Sequence, residues 1–418
     1  MSNTIVIFIE ANTTGTGMLA LKKVTALGYQ PFFFTNKPQR YRGLEETGSR
    51  VITCNTNDVE QLKHVVETTV DRSHIAGIMT TSEFYLETVA YLASCFELCG
   101  NSLNSMKNVR NKYFTRQQLA TSKVKQPHFY ALKHRTQINE ALDKIGLPCI
   151  VKPVDDSGSN NVLYCETLQQ VEKQVQHILS TTYNVRGQQN ASVVLIEQFV
   201  AGDEYSVEML SWQGETMVLG ITKKYVSGFP YFVEAGHQFP ATLALEQERH
   251  MIETVRQAID AVGIENGATH TEVKWTEEGC SIIEMNGRMA GGMIPELIHH
   301  TTGVDVLEQQ IRCFLQGPTA HALRSNGVAG IRFIQPNQTG TLVSVKGVEA
   351  VEQMEGVKQV VVTAKLGKDI RTPQNAYDRI GYIIAHTDTA SETTACLEKA
   401  VNSIQMEVNP IQVGVKMK

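Results

Sequence analysis

The chain has 418 residues, 42% hydrophobic and 19% charged, and 38 Lys+Arg against 43 Asp+Glu leave a formal charge of -5. No run approaches the roughly 18 apolar residues of a membrane span, and the start MSNTIVIFIE has no basic segment ahead of its hydrophobics, so the chain reads as cytoplasmic with no membrane partner. The mild acidity, without a Lys/Arg stripe to displace counterions, argues against nucleic acid, and eight cysteines without a CxxC pair read as reduced thiols.

In chain order, the β-branched run Ile5 to Ile9 predicts a first strand, followed by the turn Gly15-x-Gly17, a helix from Met18 to Leu27 and a second strand Phe32 to Thr35. A further strand, Ile75 to Met79, leads through Thr81-Ser-Glu83 into a helix ending near Cys95. That alternation is what a parallel sheet with crossover helices requires. Ala20 stands where a third glycine would complete a dinucleotide fingerprint, so the turn reads as a plain tight turn and a nicotinamide oxidoreductase is disfavoured. A second unit opens near Ser105, with Asn111 to Arg116 on a helix, the strand Cys149 to Pro153 and the small polar loop Asp155 to Asn161. Antiparallel strands then follow: Val193 to Val200, Glu204 to Glu208, and, after a helix from Glu246 to Val262, Glu272 to Trp275 and Ser281 to Glu284. The last region mixes β runs such as Gln359 to Thr363 with a helix from Glu392 to Asn402. The expected domains are 1–105, 106–187, 188–326 and 327–418.

The strongest chemical signal is the run GATHTEVK from Gly267 to Lys274, with Glu284-x-Asn286-x-Arg288 beginning twelve residues after Glu272. Two neighbouring strands would aim the carboxylates of Glu272 and Glu284 and the amide oxygen of Asn286 into one space. Hard oxygen ligands of this kind suit Mg²⁺, with Mn²⁺ an acceptable substitute. Arg288 returns to the same face with a fork of donors for an oxyanion. Lys112 and Lys152 are the next candidates: Lys152 ends an apolar strand and must snorkel or meet an anion, ahead of a Ser/Gly loop whose amides can wrap phosphate oxygens. No Gly-x-x-x-x-Gly-Lys-Ser/Thr run is present, so this is no P-loop.

Taken together, Asn111-Lys112-x-x-x-Arg116, Ile150-Val-Lys152-Pro, the Ser157-Gly158-Ser159 loop, Ile196-Glu197-Gln-Phe-Val200 with Glu204, and the group Glu272, Glu284, Asn286 and Arg288 stand in one order. In that order the chain resembles the ATP-grasp superfamily of carboxylate-amine ligases. The resemblance implies an α/β and α+β architecture: an ATP-grasp fold with a Rossmann-like N-terminal domain and a C-terminal cap subdomain. It implies ATP held by Lys112, Lys152, Ser157, Ser159, Glu197, Phe199 and Glu204, with Lys152 near the adenine, Glu197 and the backbone to Phe199 reading the adenine edge, and Glu204 on the ribose. Metal would sit on Glu272, Glu284 and Asn286, with the Ser157 to Ser159 loop closing over the γ-phosphate.

Within the superfamily, the run YFVEAGHQFP from Tyr231 to Pro240 is similar to that of bacterial L-amino acid ligases, which make dipeptides. That likeness implies that Glu234 and His237 face the reacting amino acids, as proton acceptor or only as positioning groups. It further implies that Glu83 holds the first substrate's amino group and that Arg288 binds its carboxylate as an acyl phosphate forms. Glycine at Gly292, where some members carry a bulky aromatic, leads us to expect a roomy first pocket. With Asp378 as a second acid beside Glu83, we expect a large or basic first substrate such as arginine. The expected partners are small amino acids, and the reading leaves room for a homodimer. Two alternatives stand beside it: an ATP-grasp ligase using a non-amino-acid carboxylate, and a non-catalytic nucleotide-binding module.

Overall fold

In the computed structural model, residues 4–13, 16–158, 160–226, 230–319 and 325–410 are described. Gly15 and Ser159, both named above, lie outside them. The N-terminal sheet is parallel, in the order Arg50–Thr53, Gln30–Thr35, Ile5–Ile9, Ile75–Met79. Its two inner strands are buried on both faces, which is why they read as unbroken apolar runs. Where a dinucleotide would need open backbone, a Cβ on Gly17 would fall 2.5 Å from the Ala11 side chain and 2.7 Å from the Asn12 carbonyl. The strand end beside it is filled by Glu10, which accepts from the Asn36 amide at 2.7 Å, from Thr56 at 2.7 Å, from Thr35 at 2.9 Å and from Tyr41.

A small antiparallel lobe follows, in the order Phe129–Leu132, Val194–Gln198, Cys149–Pro153, Leu163–Cys165, covered by the helices Ile138–Ile145 and Leu168–Ser180. After the second of these helices the chain runs out to Arg186, which is buried against the N-terminal sheet and donates to the Ala11 carbonyl at 2.8 Å and the Tyr41 hydroxyl at 3.1 Å. The small lobe is thereby tied to the N-terminal domain on the side where Glu83 lies, because Gln188 also donates to the Phe84 carbonyl at 3.0 Å.

The largest element is an eight-stranded sheet in the order Gly279–Asn286, Gly267–Thr276, Asp203–Trp212, Glu215–Val226, Glu234–Phe239, Val328–Ile334, Gly381–Thr387, Val357–Val362. The helix Leu245–Val262 packs an apolar face built of Met251, Val255, Ala258, Ile259 and Val262 onto one side of it. The sheet runs without interruption into the C-terminal region, since Glu234–Phe239 pairs antiparallel with Val328–Ile334. A three-stranded sheet, Asp369–Ile370, Gly340–Lys346, Gln405–Pro410, and the helix Ala390–Ser403 complete that region. All eight cysteines are free. Among the described residues no helix is long and apolar enough to cross a membrane.

Candidate active site

Two lysines converge at the start of the small lobe. Asn111 caps the helix Lys112–Thr121 by accepting the Tyr113 amide at 3.0 Å, which fixes Lys112 at its first turn. The Lys112 ammonium donates to the Asp156 carbonyl at 2.8 Å and lies 3.6 Å from Glu284. Lys152 is 4% exposed, too little for a solvated amine, and pairs with Glu197 at 2.7 Å. Burial lowers the Lys152 pKa, and the nearby Glu197 opposes the shift. Glu197 also takes Arg116 Nε at 2.6 Å; burial alone would raise its carboxyl, but Arg116 and Lys152 outweigh it and hold it at about 2. Both Glu197 carboxylate oxygens are thus engaged by cations. Arg116, whose remaining donors go to the Ile282 and Ile283 carbonyls at 3.0 and 2.6 Å and to the Gln126 amide oxygen at 3.5 Å, ties the strand that carries Glu284 to this corner. Phe199 and Val200 leave the sheet just beyond, with Phe199 stacked on Phe232 at 6.2 Å and the Lys274 ammonium 5.1 Å from its ring centre.

On the hairpin Gly267–Thr276/Gly279–Asn286 the antiparallel register sets Glu272 opposite Glu284 and His270 opposite Asn286, so all four share a face. Glu272 pairs with Lys224 and lies 3.4 Å from His270 Nε2. His270 Nδ1 lies 2.9 Å from Glu208, which also accepts from Ser206 at 2.6 Å. Burial works against the His270 charge, but Glu208 overcomes it and raises the imidazole to about 9. Lys224 is the centre of this face: buried, it meets Glu204 at 3.2 Å and Glu234 at 3.1 Å besides Glu272. Burial would lower its pKa, yet the three carboxylates carry it well above the usual lysine value.

No group of three His, Cys, Asp or Glu side chains gathers to hold a metal among the described residues. The donor set here is two carboxylates and an amide oxygen, and these hard oxygens, with cations already drawn to them, fit Mg²⁺ and leave coordination positions for phosphate oxygens. Glu204, expected on the ribose, is at 3.2 Å from Lys224.

The substrate candidates form two groups. Glu83, 7% exposed, receives Arg288 Nη2 at 2.8 Å and Nε at 3.1 Å and Ser157 Oγ at 2.8 Å, with Arg110 at 3.5 Å. Burial alone would raise its carboxyl; Arg288, Arg110 and Lys112 instead hold it at about 2. In the second group Glu234 Oε2 faces Arg379 at 3.2 Å and His237 Nε2 at 3.8 Å. Lys224 outweighs the burial of Glu234 and its carboxyl falls to about 2, whereas burial takes His237 down to about 4. Both ring nitrogens of His237 are buried without a hydrogen-bond partner.

Two expectations change. Gly292 is at φ +58, and a Cβ there would fall 2.6 Å from His237 Nε2, so backbone and imidazole both demand glycine whatever the pocket size. Asp378 is no free anion facing a substrate: it accepts Arg371 Nε at 2.7 Å and the amides of Gln374 at 2.9 Å and Asn375 at 3.3 Å, organising its own loop. That loop instead sends Arg379 to Glu234. Lys224, His270, Glu208, Arg110 and Arg379 are site residues the sequence reading did not single out. For Lys224 a signal existed: in the strand Glu215–Val226, period-two alternation sends one of Lys223 and Lys224 into the sheet's covered face.

Two family models match the chain: an ATP-grasp domain over residues 145–296, and L-amino acid ligase C-terminal domain 2 over residues 332–409. The chain carries an ATP-grasp domain. Among its relatives, the uncharacterized protein y4rH of Sinorhizobium fredii is 28% identical over 404 residues, 97% of this chain and 83% of that one. The L-arginine-specific L-amino acid ligase of Bacillus subtilis is 23% identical over 303 residues, 72% of each. In three dimensions this ATP-grasp protein matches the crystal structure of an L-amino acid ligase from Bacillus licheniformis with a TM-score of 0.80 and 25% identity, covering 97% of this chain and 99% of that one. These matches support an ATP-dependent ligase.

Proposed function

We propose that this ATP-grasp ligase joins two L-amino acids into a dipeptide through an aminoacyl phosphate, with release of ADP and phosphate. The observation that carries the reading is the Glu83–Arg288 pair at 2.8 Å, between the N-terminal domain and the loop after the metal hairpin. Each member is satisfied by the other, and an α-amino acid brings the same two charges: its ammonium replaces Arg288 on Glu83 and its carboxylate replaces Glu83 on Arg288. A carboxylate lacking the amino group would leave the buried Glu83 with only Arg110 at 3.5 Å and Ser157 Oγ at 2.8 Å in place of the paired guanidinium it gave up.

Glu272, Glu284 and Asn286 would hold Mg²⁺, which when bound would supply positive charge to offset that on the transferring phosphoryl oxygens. Lys112, and Lys152 once drawn from Glu197, bind the phosphate oxygens. Arg288 holds the first carboxylate in line for attack on the γ-phosphorus, and its guanidinium then faces the oxyanion that forms when the second amine adds to the acyl carbon. His237, neutral at pH 7, is placed to accept the proton the amine must lose, or to position that amine. The loop around Ser157 and Gly158, with the Tyr377 hydroxyl 3.5 Å from where a Gly158 Cβ would stand, excludes water from the acyl phosphate.

The complete metal and phosphate set supports catalysis over a purely nucleotide-binding role. A large first side chain remains compatible with Gly292, while the engagement of Asp378 withdraws one argument for arginine. Phosphate release and product mass over a matrix of amino acid pairs test the proposal; release that requires a non-amino-acid carboxylate overturns it.

A further inference from the structure

Among the described residues the buried carboxylates Glu10, Glu83 and Glu197 and the part-buried Glu234 each meet a guanidinium, and they are not alike. Glu197 with Arg116 is closed: Arg116 is 2% exposed and its donors are spent on Glu197, two backbone carbonyls and the Gln126 side chain. Glu10 with Arg40, at 3.7 Å, belongs to the plugged end of the N-terminal sheet. The other two pairs keep access to the site: the Arg288 and Arg379 side chains are 23% and 17% exposed. Arg379 places its guanidinium carbon over Phe333, 3.8 Å from the ring centre, and donates Nε to the Ala376 carbonyl at 2.9 Å and Nη1 to Glu234 at 3.2 Å. Its Nη2 has no partner among the described residues. The aromatic face and the loop carbonyl fix the plane of the fork, so the free edge points along a set direction.

The two open pairs are related by construction. Glu83–Arg288 joins the N-terminal domain to the metal hairpin's exit, and Glu234–Arg379 joins the large sheet to the C-terminal region. Between them Gly292, four residues beyond Arg288, brings the backbone against His237, whose buried ring nitrogens lack partners. A ligase of two amino acids must hold two zwitterions, and the first pair accounts for one.

Resting on the dipeptide reading above, we propose that Glu234–Arg379 is the seat of the second zwitterion. Arg379 binds the α-carboxylate of the amine donor, while Glu234 and His237 receive its ammonium. The amine donor is then an amino acid with a free α-carboxylate, and Arg379 is the residue that selects it. In the bond-forming step the donor nitrogen, having passed one proton to His237, attacks the acyl carbon; the C–N bond forms, the acyl C–O bond breaks, phosphate leaves with that electron pair, and the second proton the nitrogen must lose goes to the departing phosphate. Arg379 takes no part in the electron movement and fixes only where the nitrogen stands.

The experiment compares, in the full chain with ATP, Mg²⁺ and a saturating first amino acid, an amine donor offered as the free amino acid and as its α-amide. Wild type should favour the free acid. R379A should raise the KM for the free acid roughly tenfold to a hundredfold, the cost of one charged hydrogen-bonded contact, while leaving the KM of the amide, the first substrate and ATP within about twofold. R379K, with its charge but no fork, should fall between and serves the same comparison if the alanine variant does not fold. Equal loss on acid and amide, or a shift confined to the first substrate, overturns the assignment while the dipeptide reading stands. Absence of peptide from wild type with every pair removes the dipeptide reading itself, and this assignment with it.

Discussion

His237 shows how burial sets chemistry at a single residue. It is 0% exposed, its ring edge meets Phe333, and burial holds it near 4 against roughly 6.5 in an unfolded chain. Below pH 6.5 the unfolded chain binds a proton that the native imidazole refuses, so this residue subtracts stability as pH falls from about 6.5 to about 4. H237N lacks that loss. Denaturation midpoints at pH 7 and pH 4.5 should show the variant gaining about 2–3 kcal/mol on wild type between the two, and parallel pH profiles would contradict the burial argument. The residue scale is also where the sequence was least complete. Glu272, Glu284 and Asn286 were legible because a twelve-residue spacing around one turn fixes a cross-strand register. Lys224 and Arg379 were not, because each stands beside a residue of similar promise, Lys223 and Asp378, and only strand phase and loop bonding decide which turns inward.

At the scale of elements, the hairpin Gly267–Thr276/Gly279–Asn286 is a closely paired part. It is paired along its length and pinned from outside by Arg116, and so E284Q should change chemistry without unfolding the sheet. We expect kcat for phosphate release to drop by about a hundredfold, with chelation of divalent ions abolishing turnover in wild type and Mg²⁺ or Mn²⁺ restoring it. Undiminished turnover in E284Q would remove the hairpin from the reaction. The loop Gln374 to Arg379 is the opposite kind of element, irregular and held by one carboxylate. D378N should loosen Arg379 and raise the KM of the amine donor several-fold, whatever the charge of the first substrate. A loss confined to cationic first substrates would instead make Asp378 a substrate contact. The helix from Met18 was read nearly to its ends because apolar runs mark it, whereas the strands Asp203–Trp212 and Gly267–Thr276 run well beyond the stretches read; this loop was not read, since its conformation rests on Asp378 accepting two amides and Arg371.

Across the whole molecule the candidate site is assembled from every part of the chain. Glu83 comes from the N-terminal domain, Lys112 and Lys152 from the small lobe and its approach, the metal set and Glu234 from the large sheet, and Arg379 from the C-terminal region. Arg186 ties the small lobe back to the N-terminal sheet, so the two walls that would enclose ATP and the first substrate share a joint. The order of motifs made the ATP-grasp architecture readable from sequence, whereas contacts such as Arg186 to Ala11 join residues 175 apart with no local pattern to announce them. The central claim, that these parts serve two amino acids, is tested most directly by supplying ATP, Mg²⁺ and pairs of L-amino acids and measuring phosphate and peptide mass together. The account predicts phosphate and dipeptide in equal amounts for a subset of pairs. Phosphate without peptide across the full matrix, or turnover only with a carboxylate lacking an α-amino group, would contradict it.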